Sequence, residues 1–82
     1  MEYNIINNTR TGGESCTFEF NGATYYADKS PVESWKGIID ETMIFLVEED
    51  GEINWSDLYC DRTGKSLKEC IDEFISNPIP EP

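Results

Sequence analysis

Eight carboxylates stand between Lys36 and Arg62 with no basic residue among them: Asp40, Glu41, Glu48, Glu49, Asp50, Glu52, Asp57 and Asp61. Such groups can do three kinds of chemistry. A close pair can work as general acid and base. A ring of their oxygens can hold a hard cation. As fixed negative charge they draw the Lys and Arg side chains of a partner. Each use demands a different arrangement, and the sequence tells them apart.

Acid–base work needs a cleft with a tuned partner group. The chain has no histidine, the commonest general base, and its serines and cysteines have no visible base beside them. No catalytic residue is assigned, and a non-enzymatic protein is expected. The cation reading centres on Leu46 to Asp57, which resembles a calcium-binding EF-hand loop. Glu48 and Asp50 fall at its third and fifth positions, Gly51 at the glycine of the turn, and Ile53 at the apolar position. Leu46 stands where an aspartate is required, however, and Asp57 stands where a bidentate glutamate closes the loop. A charged β-turn is the simpler reading, and no metal site is expected. Thr63-Gly64-Lys65-Ser66 looks like the end of a phosphate-binding loop, but Tyr59 occupies the place of its first glycine. Without that glycine the backbone N–H groups cannot gather around a phosphate, so no cofactor is expected.

The third use remains. Residues 1–39 hold five acids and three bases, a net of −2; residues 40–82 hold twelve acids and three bases, a net of −9. Charge concentrated in this way gives a directional field that favours positively charged partners. Six Lys and Arg against seventeen Asp and Glu leave nothing to neutralise phosphates, which excludes direct nucleic-acid binding. The expected partner-binding residues are the eight acids together with Trp55. That tryptophan either packs in the core or stands exposed as an anchor within an acidic rim. The acids are expected to gather at one edge of a sheet, centred on Glu48 to Glu52.

The elements that must position these residues follow from periodicity and punctuation. Tyr3 to Ile6 reads as a short strand and Asn7 to Glu14 as a loop. Cys16, Phe18 and Phe20 alternate with Thr17 and Glu19, and Asn21-Gly22 then turns the chain back along Ala23 to Ala27. That gives a β-hairpin over 15–28. Ser30-Pro31 with Glu33 reads as a helix start. Val32, Trp35, Ile38 and Ile39 share a helical face, which predicts a helix from Ser30 to Asp40 or Glu41. Residues 42–48 could continue that helix, but a strand is the preferred reading, with Glu49-Asp50-Gly51 as a turn and 52–55 as its return. Leu67, Cys70, Ile71, Phe74 and Ile75 form one helical stripe, with Ser66 and Glu69 as a capping box and Asn77-Pro78 as the stop. The expected fold is α+β in the order β-β-β-α-β-β-α: an antiparallel sheet of about five short strands with two helices packed on one face. One domain over 1–77 and a flexible tail over 78–82 are expected.

Aromatic residues are spread along the chain, which separates it from disordered acidic tails. The longest apolar run, Met43 to Val47, is far too short to span a membrane. No signal-like run follows Met1-Glu2, so a cytoplasmic location is expected. Three cysteines, an odd number without close spacing, suit a reducing compartment. A bridge between Cys60 and Cys70 is left open.

In size, charge and lack of catalytic residues the chain resembles the small acidic inhibitor proteins of phages and mobile elements, the anti-CRISPR and DNA-mimic proteins. The acids at 40–61 and 69–73, with Asp72-Glu73 on the last helix, carry the resemblance. It implies that carboxylates stand where phosphates would bind, on the basic surface of a nuclease or another nucleic-acid-binding protein. Arg62, Lys65 and Lys68 interrupt the acidic surface near the last helix, so the mimicry would be partial. The alternative is a small accessory interaction module of a phage or mobile element with no inhibitory role.

Overall fold

The computed structural model describes residues 3–8, 10 and 12–76. The chain forms β1 (Ile6–Asn8), β2 (Gly13–Phe20), β3 (Ala23–Ser34), β4 (Gly37–Val47), β5 (Ile53–Asp61) and α1 (Leu67–Ser76). The strands make one antiparallel sheet in the order β1-β2-β3-β4-β5, so each strand lies beside its neighbour in sequence. The expected tail at 78–82 lies outside the described residues.

Local chemistry explains the centre of the sheet. Between β2 and β3 the turn residues Asn21 and Gly22 have φ of 52° and 80°. These are the two left-handed conformations that a two-residue hairpin matched to strand twist requires. Phe20 therefore pairs with Ala23, and the register runs back to Glu14 opposite Lys29. This is the hairpin expected at 15–28. The first strand, expected at 3–6, lies instead at Ile6–Asn8.

The structure corrects the helix expected over 30–41, and with it the order β-β-β-α-β-β-α and the pair of helices on one face. β3 continues through Ser34, the chain reverses over Trp35-Lys36, and β4 begins at Gly37, with Ser34 paired to Gly37. Three features decide against the helix. Gly37 adopts φ of 103°, outside any helical range, and a residue without Cβ reaches it at no steric cost. Ser34 closes the turn: its Oγ accepts from the Lys36 N–H at 3.1 Å and donates to the Gly37 carbonyl at 3.0 Å. The apparent helical stripe is also not a buried face: Trp35 is 89% and Ile38 74% exposed, and Val32 and Ile39 are only half-buried. Pro31 is tolerated because β2 stops pairing with β3 near Lys29, leaving a free side for a residue without an N–H. Ser30, read as a helix cap, instead donates its hydroxyl to Asp28. The result is a two-stranded arm that extends past the rest of the sheet.

The strand expected at 42–48 is the inner part of β4. β5 runs well beyond the expected 52–55 and is irregular. Leu46 faces Asn54 and Ile44 faces Tyr59, so β5 advances five residues while β4 advances two. The excess is a bulged stretch over 55–58.

The one helix starts as its capping box requires. Ser66 Oγ accepts from the Glu69 N–H at 3.2 Å and reaches the Glu69 carboxylate at 3.3 Å. Leu67, Cys70, Ile71 and Phe74 face the sheet and are buried. They meet Cys16 and Phe18 of β2, Ala27 of β3 and Ile44 of β4. Phe74 stands edge-on to Phe18, Tyr25 and Tyr59, with ring centroids 6.3, 5.2 and 6.3 Å away. A ten-residue helix is marginal in isolation, so this burial is what holds it. Tyr3 ties the N-terminal segment to it by donating its hydroxyl to Asp72 at 2.8 Å. The open question of a Cys60–Cys70 bridge is settled by the sheet itself. Both thiols are free; Cys70 is buried under α1, whereas Cys60 pairs with Met43 on the opposite face.

Two stability effects follow. Ile71 is fully buried at the helix–sheet contact, so Ile71→Ala should cost ~2–5 kcal/mol in urea denaturation, much of the stability of so small a domain. The Tyr59 hydroxyl behaves oppositely. It is buried and, among the described residues, has no hydrogen-bond partner beyond the weak Cys70 thiol; burial, with that thiol and the carboxylates of Glu73 and Asp61 nearby, drives its pKa far up. Tyr59→Phe removes a poorly satisfied polar group and should leave stability unchanged or raise it by up to about 1 kcal/mol. In wild type, the raised folded-state pKa of Tyr59 and of Tyr3, the latter pushed up to about 12, makes their contribution complete below pH 10. It is lost as pH rises from about 10 towards 12. Thermal melts across that range should show the decline, and Tyr59→Phe should flatten it.

Candidate partner-binding face

Among the described residues, one helix covers one face of the sheet and no element lies over the other. Side chains alternate along a strand, so Tyr26, Asp28 and Ser30 of β3 point away from α1. Their cross-strand partners Phe45, Met43 and Glu41 of β4 share that face. Tyr26 and Phe45 stack with centroids 6.5 Å apart at 20°, and Trp55 stands edge-on to Phe45 at 5.2 Å and 69°. Phe45 is only 7% exposed although no helix shields it, because its ring neighbours do so. Trp55 itself is 69% exposed. Between the two readings of Trp55, the structure places it outside the helix-side core, on the open face. Beside these rings lies a hollow of about 260 Å³ reaching to Asp28, Ser30, Glu41 and Met43.

The two carboxylates of the hollow differ in their bonding. Asp28 accepts from the Tyr26 hydroxyl at 3.0 Å through Oδ2 and from the Ser30 hydroxyl at 2.6 Å through Oδ1. Burial, and then the Asp28 carboxylate, push the Tyr26 phenol above its ordinary pKa, so it remains a protonated donor at neutral pH. Glu41 accepts from Arg62 Nε, a contact that raises the Arg62 pKa and neutralises this acid. Tyr26, Asp28 and Ser30 also form one wall of a second, more polar hollow of about 170 Å³, with Asn8 and Ser15 opposite. They are therefore a ridge between two depressions.

The structure divides the eight acids of the base-free stretch into two groups. Glu48, Glu49, Asp50 and Glu52 occupy the turn between β4 and β5. Gly51, at φ of 88°, permits the reversal, and the Gly51 N–H bonds the Glu48 carbonyl at 2.9 Å. Asp50 Oδ1 accepts from the Glu52 N–H at 3.0 Å, and Glu48 Oε1 accepts from Asn54 Nδ2 at 3.1 Å. Asp57 is exposed in the bulged stretch of β5. No Lys or Arg pairs with these five among the described residues. Asp40, Glu41 and Asp61 lie at the other end of the β4–β5 ladder; Glu41 and Glu48 are seven residues apart, roughly 23 Å of strand. There Lys29 lies 3.9 Å from Asp40, Arg62 engages Glu41, and Asp61 accepts from the Thr63 N–H and hydroxyl. Within the base-free stretch the five acids of the turn and bulge, next to Trp55, therefore form the largest group without a basic partner among the described residues, with Asp61 a sixth at the far end.

Sequence reading named Trp55 and the turn acids but not Tyr26, Asp28, Ser30, Met43 and Phe45, which share this face with Trp55. The signal available was the period-two spacing of Tyr26, Asp28 and Ser30. It was masked because Ser30 also fits a helix cap. Among the described residues no group of three or more His, Cys, Asp or Glu stands in metal-holding geometry, and no helix is long and apolar enough to cross a membrane. What the face can do is bind cations carried on side chains: flat rings attract them through their quadrupoles, and adjacent carboxylates pair with them. Comparisons of the chain with protein-family models, with curated proteins and with solved structures find no match.

Proposed function

We propose that this protein is a non-enzymatic inhibitor that binds a basic, nucleic-acid-binding surface of a target protein. The contact uses the open sheet face and the acidic turn beside it. The observation that carries this reading is the placement of an exposed Trp55, seated on Phe45, next to five carboxylates that no base neutralises. A rigid aromatic at the centre with charge at the rim is the composition of a binding hot spot. Each exposed acid contributes little on its own in salt water. Together they steer a Lys- and Arg-rich surface into contact and set the salt dependence of its capture. Inhibition then follows from occupancy, since a basic surface covered by carboxylates is closed to phosphates.

The test is a capture from lysate at low and high salt, followed by competition with duplex DNA. A nucleic-acid-binding partner should be retained at low salt, released as salt rises, and displaced by DNA, with its nucleic-acid activity reduced while bound. A partner that keeps full activity and binds DNA at the same time sinks the inhibitory reading. Reversing Glu48, Glu49, Asp50 and Glu52 together to Lys should weaken the complex at least tenfold by calorimetry. The circular dichroism spectrum should not change, because all four side chains are exposed.

A further inference from the structure

The hollow beside Trp55 supports a finer assignment, which rests on the partner-binding reading above. Asp28 sits mid-strand on the open face, and its two neighbours on that face, Tyr26 and Ser30, each donate one hydroxyl hydrogen bond to a different carboxylate oxygen. A carboxylate oxygen has two lone pairs, so one acceptor position stays free on each. Two free positions on adjacent oxygens of a carboxylate fixed in orientation match the two parallel N–H groups of a guanidinium. No base of the chain pairs with Asp28 among the described residues; Arg62 is engaged with Glu41, and Lys29 lies near Glu14 and Asp40. Beside the carboxylate stand the rings of Tyr26, Phe45 and Trp55, and Trp55 offers most of its surface to solvent. A planar, weakly hydrated guanidinium can stack on such a ring while its edge meets the carboxylate. A lysine ammonium is a strongly hydrated point charge that uses neither the flat wall nor the paired oxygens.

We propose that Asp28, held by Tyr26 and Ser30 and walled by Phe45 and Trp55, is a subsite for one arginine side chain of the partner protein. The acidic turn supplies attraction to any basic surface, and this subsite supplies the choice of arginine over lysine.

The probes are two capped pentapeptides, identical but for a central Arg or Lys, titrated against Trp55 fluorescence in a Trp35→Phe background. Trp35 is exposed at the arm tip, so removing it leaves the hollow intact. The arginine peptide should give a saturable change with an affinity about fivefold or more above that of the lysine peptide. Asp28→Asn, nearly isosteric, should abolish the preference, and Trp55→Ala should weaken both peptides. Equal responses to the two peptides, or a preference that survives Asp28→Asn, overturn the assignment. The four-residue Lys reversal of the turn separates this inference from the broader one. If the subsite is wrong and the partner reading right, Asp28→Asn binds the captured partner as wild type does while the turn variant does not. If only the subsite is right, the arginine preference persists in the turn variant with no partner to be captured. Melting curves of Asp28→Asn matching wild type confirm that a lost preference reports binding rather than unfolding.

Discussion

The structure depends on one asymmetry: a five-stranded sheet with, among the described residues, a single helix to cover it. A helix of ten residues is ~15 Å long and about 10 Å wide, enough to lie along the middle of one face and no more. Everything fully buried in the core follows from that placement. Cys16, Ala27, Ile44, Leu67, Cys70 and Ile71 are at most 1% exposed, and all of them lie in or under the helix–sheet contact. The opposite face has to meet solvent by other means. It does so with a partial sandwich of rings, Tyr26 and Trp55 sheltering Phe45, and with polar groups placed between them at the strand period. A protein that needed only to stay folded would gain little from an exposed Trp55 there. Under the proposed reading, this aromatic surface beside the acidic turn is the face that a partner would complete.

Charge is distributed to match. Four of the six basic residues are committed to acids: Lys29 near Glu14 and Asp40, Arg62 on Glu41, Lys65 on Glu73 and Lys68 on Asp72. Such exposed pairs add little stability. Their consequence is for the field, since they cancel acids around the helix and at the far end of β4. The turn at 48–52, with Asp57, is left as a concentration of acids that no base pairs with among the described residues. Under the proposed reading, such a concentration would draw a basic partner toward the end of the sheet where Trp55 stands.

What could be read from the sequence was what short-range chemistry fixes. Asn21-Gly22 with its flanking alternation dictates a hairpin without help from the rest of the chain, and Ser66 with Glu69 dictates a helix start. The segment from Ser30 to Glu41 misleads because it satisfies two grammars at once. Ser30, Pro31 and Glu33 have the form of a helix cap, and the apolar positions 32, 35, 38 and 39 have helical spacing. The competing grammar is quieter: Gly37 at a turn, Ser34 ready to close it, and Val32 opposite Ile39 across a ladder. Tertiary context decides, because as strands the segment extends the β3–β4 ladder from Ser30 opposite Glu41 to Ser34 opposite Gly37. The same limit governs the candidate site. Trp55 and the acids are contiguous in sequence and could be named. Asp28 and Phe45 become part of one site only through the register of β3 on β4, a property of the sheet that no single segment contains.

The edges of the sheet argue for how a partner docks. A sheet can recruit another chain through a free edge strand or through a face. β1, one edge, is only three residues long. β5, the other, is bent by a bulge of three extra residues over 55–58, where its advance of five against two on β4 breaks the ladder. It also carries Asp57 within that stretch and the acidic turn at its start. Short length, a bulge and charge are the devices by which edges are made poor templates for strand addition. The bulge lies next to Trp55, so the feature that spoils the edge also accompanies the aromatic wall of the face. At those two edges a partner would have little backbone to pair with, and under the proposed reading its recognition would come through side chains laid against Tyr26, Asp28, Phe45 and Trp55. That requirement suits a surface rich in arginine, whose side chain brings charge, a flat face and directional donors together in one group.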